Sequence, residues 1–317
     1  MQGKCVKNPV YTPALPLPSH GYVRSFAAKI DYLEDETLRI RGVQTDHQHT
    51  LEYDWLVRFP DYTILAAAAR QPFGEPTVLA PQLLSRCRSL QGAQTNQGLS
   101  KAARSLFGEL PGHQQHLALA IDMARVSLQA FPVPKDDHER YAAAAAGLPP
   151  GPNRVARMAW ERDRVEWPWI CNSCYAYRDE SVALFEQGPV NCFNLDLASP
   201  QPGQERFFWR TKRLRIAERP DGAGFACHND MDDTFHQLGV SFDIQADGTI
   251  SAATSRWQRL AYVGICEGSQ AGTPSLIGKK LDRNYARLLA DHVGGRSGCS
   301  HLFDLSVDCV RFFQWPD

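Results

Sequence analysis

The sequence predicts an α+β protein built from two pseudo-equivalent units, each a small antiparallel sheet followed by helices, joined by a Trp-rich bridge. Three observations predict it. The 317-residue chain repeats itself at long range. Its hydrophobic period changes from two to about 3.6 at corresponding places in both repeats. The stretch between them is bounded by Pro/Gly breaks and rich in tryptophan.

Residues 63–125 fall on 249–311 at an offset of 186 without a gap, and 13 of the 63 positions agree. Chance gives roughly four for such a composition. The identities include Gly92, Gly108 and Gly112 on Gly278, Gly294 and Gly298, and Asp122 and Arg125 on Asp308 and Arg311. One residue of slack brings Asp46-x-x-His49 onto Asp233-x-x-His236. An ancient duplication of a unit of about 90 residues, long enough to fold, accounts for the pattern.

In the first unit, spanning 20–131, alternation predicts strands at 50–59 and 62–69 around a Pro-Asp turn. Helical spacing follows at 82–90, 99–107 and 113–128, with Gly112 opening the last helix. In the second unit, 205–317, the hairpin lies at 236–244 and 249–255 around Ala246-Asp247-Gly248. Short stretches at 213–216 and 225–228 add strands at its entrance. Helices are expected at 266–276, 282–293 and 299–312. Between the units, 132–204 forms a linker and bridge: a linker at 132–136, a short helix at 139–148 with five consecutive alanines, then a segment with Trp160, Trp167, Trp169 and Cys171-x-x-Cys174.

Composition bounds the function. Apolar residues make up 43% and charged residues 22%, the balance of a globular protein. Lys plus Arg number 34 against 35 Asp plus Glu, so no basic excess points to nucleic acid. No apolar run reaches the roughly 18 residues of a membrane span. The N-terminal stretch lacks the apolar run of a signal peptide, which predicts a cytoplasmic protein. Nine cysteines make an odd number for a disulfide framework and are better read as thiols, ligands or core filler.

The second unit holds the densest chemistry. Asp233 and His236 precede the hairpin, Cys266 follows it, and Cys299 and His301 open the last helix. Carboxylate, imidazole and thiolate are the usual ligands of zinc and iron, and helix starts after a sheet often share one end of a fold. The corresponding first-unit set is Asp46, His49 and His113, with Ala80 in place of Cys266; His47 and His116 lie close by. That unit either keeps a nitrogen-and-oxygen site or is a decayed structural copy. Cys171, Cys174 and Cys192 form a second set, read as metal ligands, a redox pair or buried thiols.

The series Asp233-x-x-His236, Arg256, Cys266, Leu276-x-Gly278 and Gly298-Cys299-Ser300-His301-Leu302 resembles a bacterial domain family of unknown function, marked by a Cys-Thr/Ser-His-Leu close. The resemblance covers about 225–312 and, more faintly, 38–131. It lacks a proline two residues after Arg256, although Arg70-x-Pro72 has one. There is a more distant likeness to the iron–sulfur cluster scaffold fold, which implies ligand roles for Asp233, Cys266 and Cys299. The early-loop Cys of those scaffolds is absent, and His236 stands near its place.

These residues point to an enzyme that uses iron or zinc and acts on a small-molecule substrate, with Asp233, His236, Cys266 and Cys299 holding the metal and His301 as ligand or general base. His236 and His301 are the expected catalytic groups. Trp167, Trp169 and Tyr175 are expected to wall the substrate cavity. The alternatives are a metal or iron–sulfur carrier without turnover, and an acyl-transfer enzyme with Cys266 or Cys299 as nucleophile and His301 as base.

Overall fold

The computed structural model describes residues 21–35, 37–74, 80–129, 151, 153–192 and 202–313. The expected linker at 132–136 and helix at 139–148 lie outside these residues.

The first half contributes four strands, β1 (Tyr22–Tyr32), β2 (Thr37–Thr45), β3 (His49–Arg58) and β4 (Thr63–Gly74). They lead into α1 (Gln82–Arg86), α2 (Leu99–Phe107) and α3 (His113–Ser127). The connecting segment holds α4 (Arg154–Glu166), α5 (Leu184–Gln187) and the short β5 (Asn191–Cys192). The second half repeats the plan with β6 (Phe208–Glu218), β7 (Gly224–Asp233), β8 (Gln237–Gln245) and β9 (Ile250–Arg259). After the short β10 (Tyr262–Val263) come a 3₁₀ stretch Cys266–Leu276, α6 (Tyr285–Val293) and α7 (Ser300–Arg311).

Both halves thus have four main strands, where the sequence predicted two in the first and up to four in the second. All eight join one antiparallel sheet, ordered β4-β3-β2-β1-β6-β7-β8-β9. The halves sit side by side and do not face each other across the bridge, because β1 pairs directly with β6, Phe26 opposite Lys212. One face of the sheet is dry. Residues 22, 24, 26, 28 and 30 of β1 and 208, 210, 212, 214 and 216 of β6 are buried, while their neighbours are mostly half-buried or exposed. α3 covers β1–β3, and α7 covers β6–β8.

The halves correspond in detail. Ser25 pairs with Thr45 as Thr211 pairs with Asp232. The β3–β4 ladder shifts register at Thr50/Glu52 and Leu56/Val57, and the β8–β9 ladder at Gln237/Leu238 and Asp243/Ile244. The isolated bridge Thr63–Gln94 has its counterpart in Thr249–Lys280, and Leu99–Phe107 in Tyr285–Val293. Each half has its own apolar core. The connecting segment forms a third cluster of Ala156, Trp160, Phe185 and Val190 with Tyr262 and Ile265 of the second half. It therefore caps that half, and Trp169 also meets Tyr62 edge-on with ring centroids 6.3 Å apart.

An ionic network ties the halves at the seam. Lys212 Nζ donates to Asp122 Oδ1 at 2.7 Å, Asp304 Oδ2 at 3.0 Å and Asp308 Oδ2. Arg24 donates to Asp308 Oδ2 at 2.6 Å and Gln44 Oε1 at 3.0 Å. All of these are buried. Burial alone would lower the Lys212 ammonium, but the three carboxylates outweigh it and hold its pKa above the ordinary lysine value. Among the described residues no helix is long and apolar enough to cross a membrane.

Candidate functional site

A cavity of about 240 Å³ lies between the end of α3, α4 and the start of α7. Leu128, Ala159, Trp169, Ile170, Leu260 and Tyr262 give it an apolar wall. Of the aromatics expected to wall it, Trp169 does, whereas Trp167 and Tyr175 do not reach the lining.

The turn after β7 builds the polar end. Asp233 accepts backbone N–H bonds from Phe235 at 2.8 Å and His236 at 2.6 Å, an Asx turn that reverses the chain into β8. The same oxygen accepts from His236 Nδ1 at 3.2 Å. The other oxygen takes two donors from Arg210, Nε at 3.0 Å and Nη2 at 2.6 Å. Burial works against the Asp233 carboxylate, but Arg210 and His236 reverse the balance and keep it ionised below the usual carboxylate range. With Nδ1 engaged, His236 has Nε2 left for a ligand, and its ring borders the cavity.

His301 stacks on His236 with ring centroids 4.1 Å apart. Its Nε2 lies 3.1 Å from Gln129 Oε1 and 3.2 Å from Arg210 Nη2, and its Nδ1 lies 3.8 Å from Cys299 Sγ. Burial, with His236 and Arg210 nearby, keeps the ring neutral, well below the ordinary histidine value. Gly298 holds the start of α7 against the end of α6, where a Cβ would stand 2.2 Å from the Val293 carbonyl oxygen.

Asp233, His236 and His301 have ligand atoms all within 4.8 Å of one another, the one such group among the described residues. The carboxylate, however, already takes five donors on about four lone-pair sites. Arg210 supplies the positive charge that a metal would bring. Asp233 thereby orients His236 and Arg210.

Cys266 and Cys299 border the cavity, with Cys174 and Cys192 from the connecting segment. Cys171 does not: its thiol points to the Arg164 carbonyl, with Sγ 3.6 Å from the oxygen. Burial pushes the Cys299 thiol up to about 11 and Cys266 well above the ordinary thiol value.

In the first half Asp46 makes the matching turn, accepting from Gln48 N at 2.8 Å and His49 N at 3.0 Å. His49 is 0% exposed and sealed in the core, in contrast to His236. His113 turns away, its Nδ1 donating to the Leu110 carbonyl at 2.9 Å, and it forms no close ligand group with Asp46 and His49. His116 turns inward instead, 2.8 Å from the Tyr53 hydroxyl. Sequence reasoning missed Arg210 and Gln129 altogether. It grouped Cys174 with Cys171, whereas the fold groups it with Cys266 and Cys299.

His116 is pushed down to about 3, and His49 and His301 are also lowered, chiefly by burial. Unfolded histidines take up protons near pH 6.5 and these folded ones do not. Their contribution to stability is therefore complete above pH 6.5 and falls as pH drops, by about 1.4 kcal/mol per pH unit for each residue until its folded pKa is reached. Urea unfolding at pH 7.5 and 5.5 measures the slope, and His116→Gln is expected to flatten it by one histidine's share. An unchanged slope would contradict the assignment.

A family model described as a protein of unknown function (DUF2889) matches residues 217–313. The match covers β7 to α7, including Asp233, His236, Cys266, Cys299 and His301, and agrees with the resemblance read over 225–312. No curated protein and no solved structure matches the chain.

Proposed function

We propose that this protein is an enzyme acting on a small organic molecule held in the 240 Å³ cavity, with His236 as the proton-transfer group and Asp233 as its orienting partner. The observation that carries the reading is the Asp233–His236 pair: a buried, ionised carboxylate fixes one ring nitrogen and leaves the other for the cavity. A carboxylate in this position fixes the tautomer and stabilises the imidazolium formed when the base takes a proton. Gln129 and Ser300 and the charged Arg125, Arg162, Asp163, Arg210 and Asp304 set polar groups beside the apolar wall, the mixed lining of a site for a small molecule that carries polar groups. The volume exceeds the roughly 150 Å³ that admits benzene, so it suits a body somewhat larger than one ring.

The acyl-transfer alternative is less well supported. Cys299 and His301 are adjacent, but burial favours the neutral thiol and neutral imidazole over the ion pair of an activated cysteine. We also propose that the two halves descend from a duplicated unit. Matching ladder registers, paired register shifts and equivalent bridges support it. In that account the second half keeps the working site, and the first keeps the Asx turn as a structural element.

Ligand-induced stabilisation tests the cavity. A panel of one- and two-ring aromatic acids and amines is expected to contain compounds that raise the melting temperature. At about 100 times its Kd, such a compound adds about 2.7 kcal/mol. Leu128→Trp, which fills the cavity, is expected to abolish the shift. No stabilising compound, or equal shifts in the filled variant, would contradict the proposal.

A further inference from the structure

The cavity wall contains three thiols brought together from distant parts of the chain. Cys266 begins the 3₁₀ stretch after β10, and Cys299 is the residue before α7. Cys174 arrives from the connecting segment, and its position is fixed by the next residue, whose N–H donates to the Gly298 carbonyl at 2.8 Å. The Tyr175 ring packs against Gly268, where a Cβ would lie 2.3 Å from Cζ, so the 266–269 turn and the 174–175 backbone are held in contact. All three cysteines are unbridged. Burial raises each thiol; Cys266 is raised further by its two neighbours, and Cys299 by Cys174.

His301 presents the fourth donor. Its Nε2 lies between Gln129 Oε1 and Arg210 Nη2, which can only donate. Ligation through Nδ1, the atom 3.8 Å from Cys299 Sγ, therefore places the proton on Nε2 toward Gln129 and leaves Arg210 to Asp233. Two ligands of one tetrahedral zinc ion, at about 2.3 Å for sulfur and about 2.0 Å for nitrogen, stand about 3.5 Å apart. A ligating histidine characteristically gives its other N–H to an oxygen of the protein, the role Gln129 fills.

We propose that Cys174, Cys266, Cys299 and His301 Nδ1 form a binding site for one thiophilic divalent ion, zinc by ligand type. Three thiols and one imidazole complete a tetrahedral set, so the site is of the closed, structural kind. The ion would replace three thiol protons, which are released to solvent. The resulting single negative charge faces Arg210, whose Nη2 lies 3.2 Å from His301 Nε2. No three of these ligand atoms lie within 4.8 Å of one another here, so binding draws at least two of them inward. The ion would clamp the connecting segment onto the second half. Neither Asp233 nor His236 is a ligand, so this site stands independently of the acid–base reading.

The test is metal analysis of the full chain expressed with added zinc, followed by replacement with cobalt. One zinc per chain is expected, with X-ray absorption of the unmutated protein giving three sulfurs and one nitrogen. The cobalt form is expected to show thiolate-to-metal charge transfer. Cys174→Ser should reduce zinc content at least tenfold, while Cys171→Ser leaves it unchanged. Absence of bound metal, an ion surrounded by oxygen and nitrogen, iron with inorganic sulfide, or full zinc retention in Cys174→Ser would each overturn the proposal. If Cys174→Ser fails to fold, the absorption spectrum of the unmutated protein decides alone.

Discussion

Lys212→Met is expected to lower the unfolding free energy by about 3–5 kcal/mol, the range for removing one partner from a buried ionic group. Lys212 is fully enclosed and donates to Asp122, Asp304 and Asp308 at the seam between the halves. Methionine fills a similar volume, so the cost comes from carboxylates left without their cation. Arg24 still reaches Asp308, but among the described residues Asp304 keeps only Arg125 at 3.7 Å. Adding Asp304→Asn to the same chain is expected to recover part of the loss, because one stranded charge disappears. Urea unfolding at pH 7.5 measures both. A loss below about 1 kcal/mol for Lys212→Met would show that the network is not the clasp described.

His236→Gln is expected to lower turnover by about 10²–10⁴-fold, the usual contribution of a positioned general acid or base. Glutamine retains an amide that can hydrogen-bond Asp233 but cannot exchange a proton near neutral pH. His236 is buried at the edge of the cavity, and because glutamine keeps a donor for Asp233 the melting temperature should change far less than the rate. Initial rates at saturating substrate, measured beside thermal unfolding, separate the effects. A rate within threefold of the unmutated protein would remove His236 from the chemistry.

The helices of the two halves were largely legible in the sequence. The bounds 99–107 match α2, 113–128 comes within one residue of α3 and 299–312 of α7, and 82–90 spans α1 with the 3₁₀ turn Cys87–Leu90 after it. By contrast, 266–276 is 3₁₀, and α4 in the connecting segment was not predicted. The strands at the seam were not. Arg24 in β1 and Arg210 and Lys212 in β6 occupy core-facing positions, so the apolar alternation that marks a half-buried strand is broken where the two halves join. The cost of Arg24 and Lys212 is met by carboxylates on α3 and α7, and that of Arg210 by Asp233 at the end of β7, partners invisible to local pattern. The Asp-x-x-His turn was legible because an Asx turn is local in sequence. Arg210 was not, since it reaches Asp233 across the β6–β7 ladder. His113 and His116 differ by three residues, nearly one helical turn, and only packing tells which of them enters the core. Cys174 was placed with Cys171 because spacing records neighbours along the chain, whereas Cys174 is set against Cys299 by the hydrogen bond from Tyr175 to Gly298.

The central claim is that the cavity beside Asp233 and His236 performs chemistry on a small molecule. Its most direct test incubates purified protein with a bacterial small-molecule extract and follows every compound by mass spectrometry, with His236→Gln as the parallel sample. The account predicts at least one compound, of a size that fits the cavity, consumed by the unmutated protein and preserved by the variant, with a matching product mass. Identical extracts after both incubations, across extracts from several growth conditions, would contradict it.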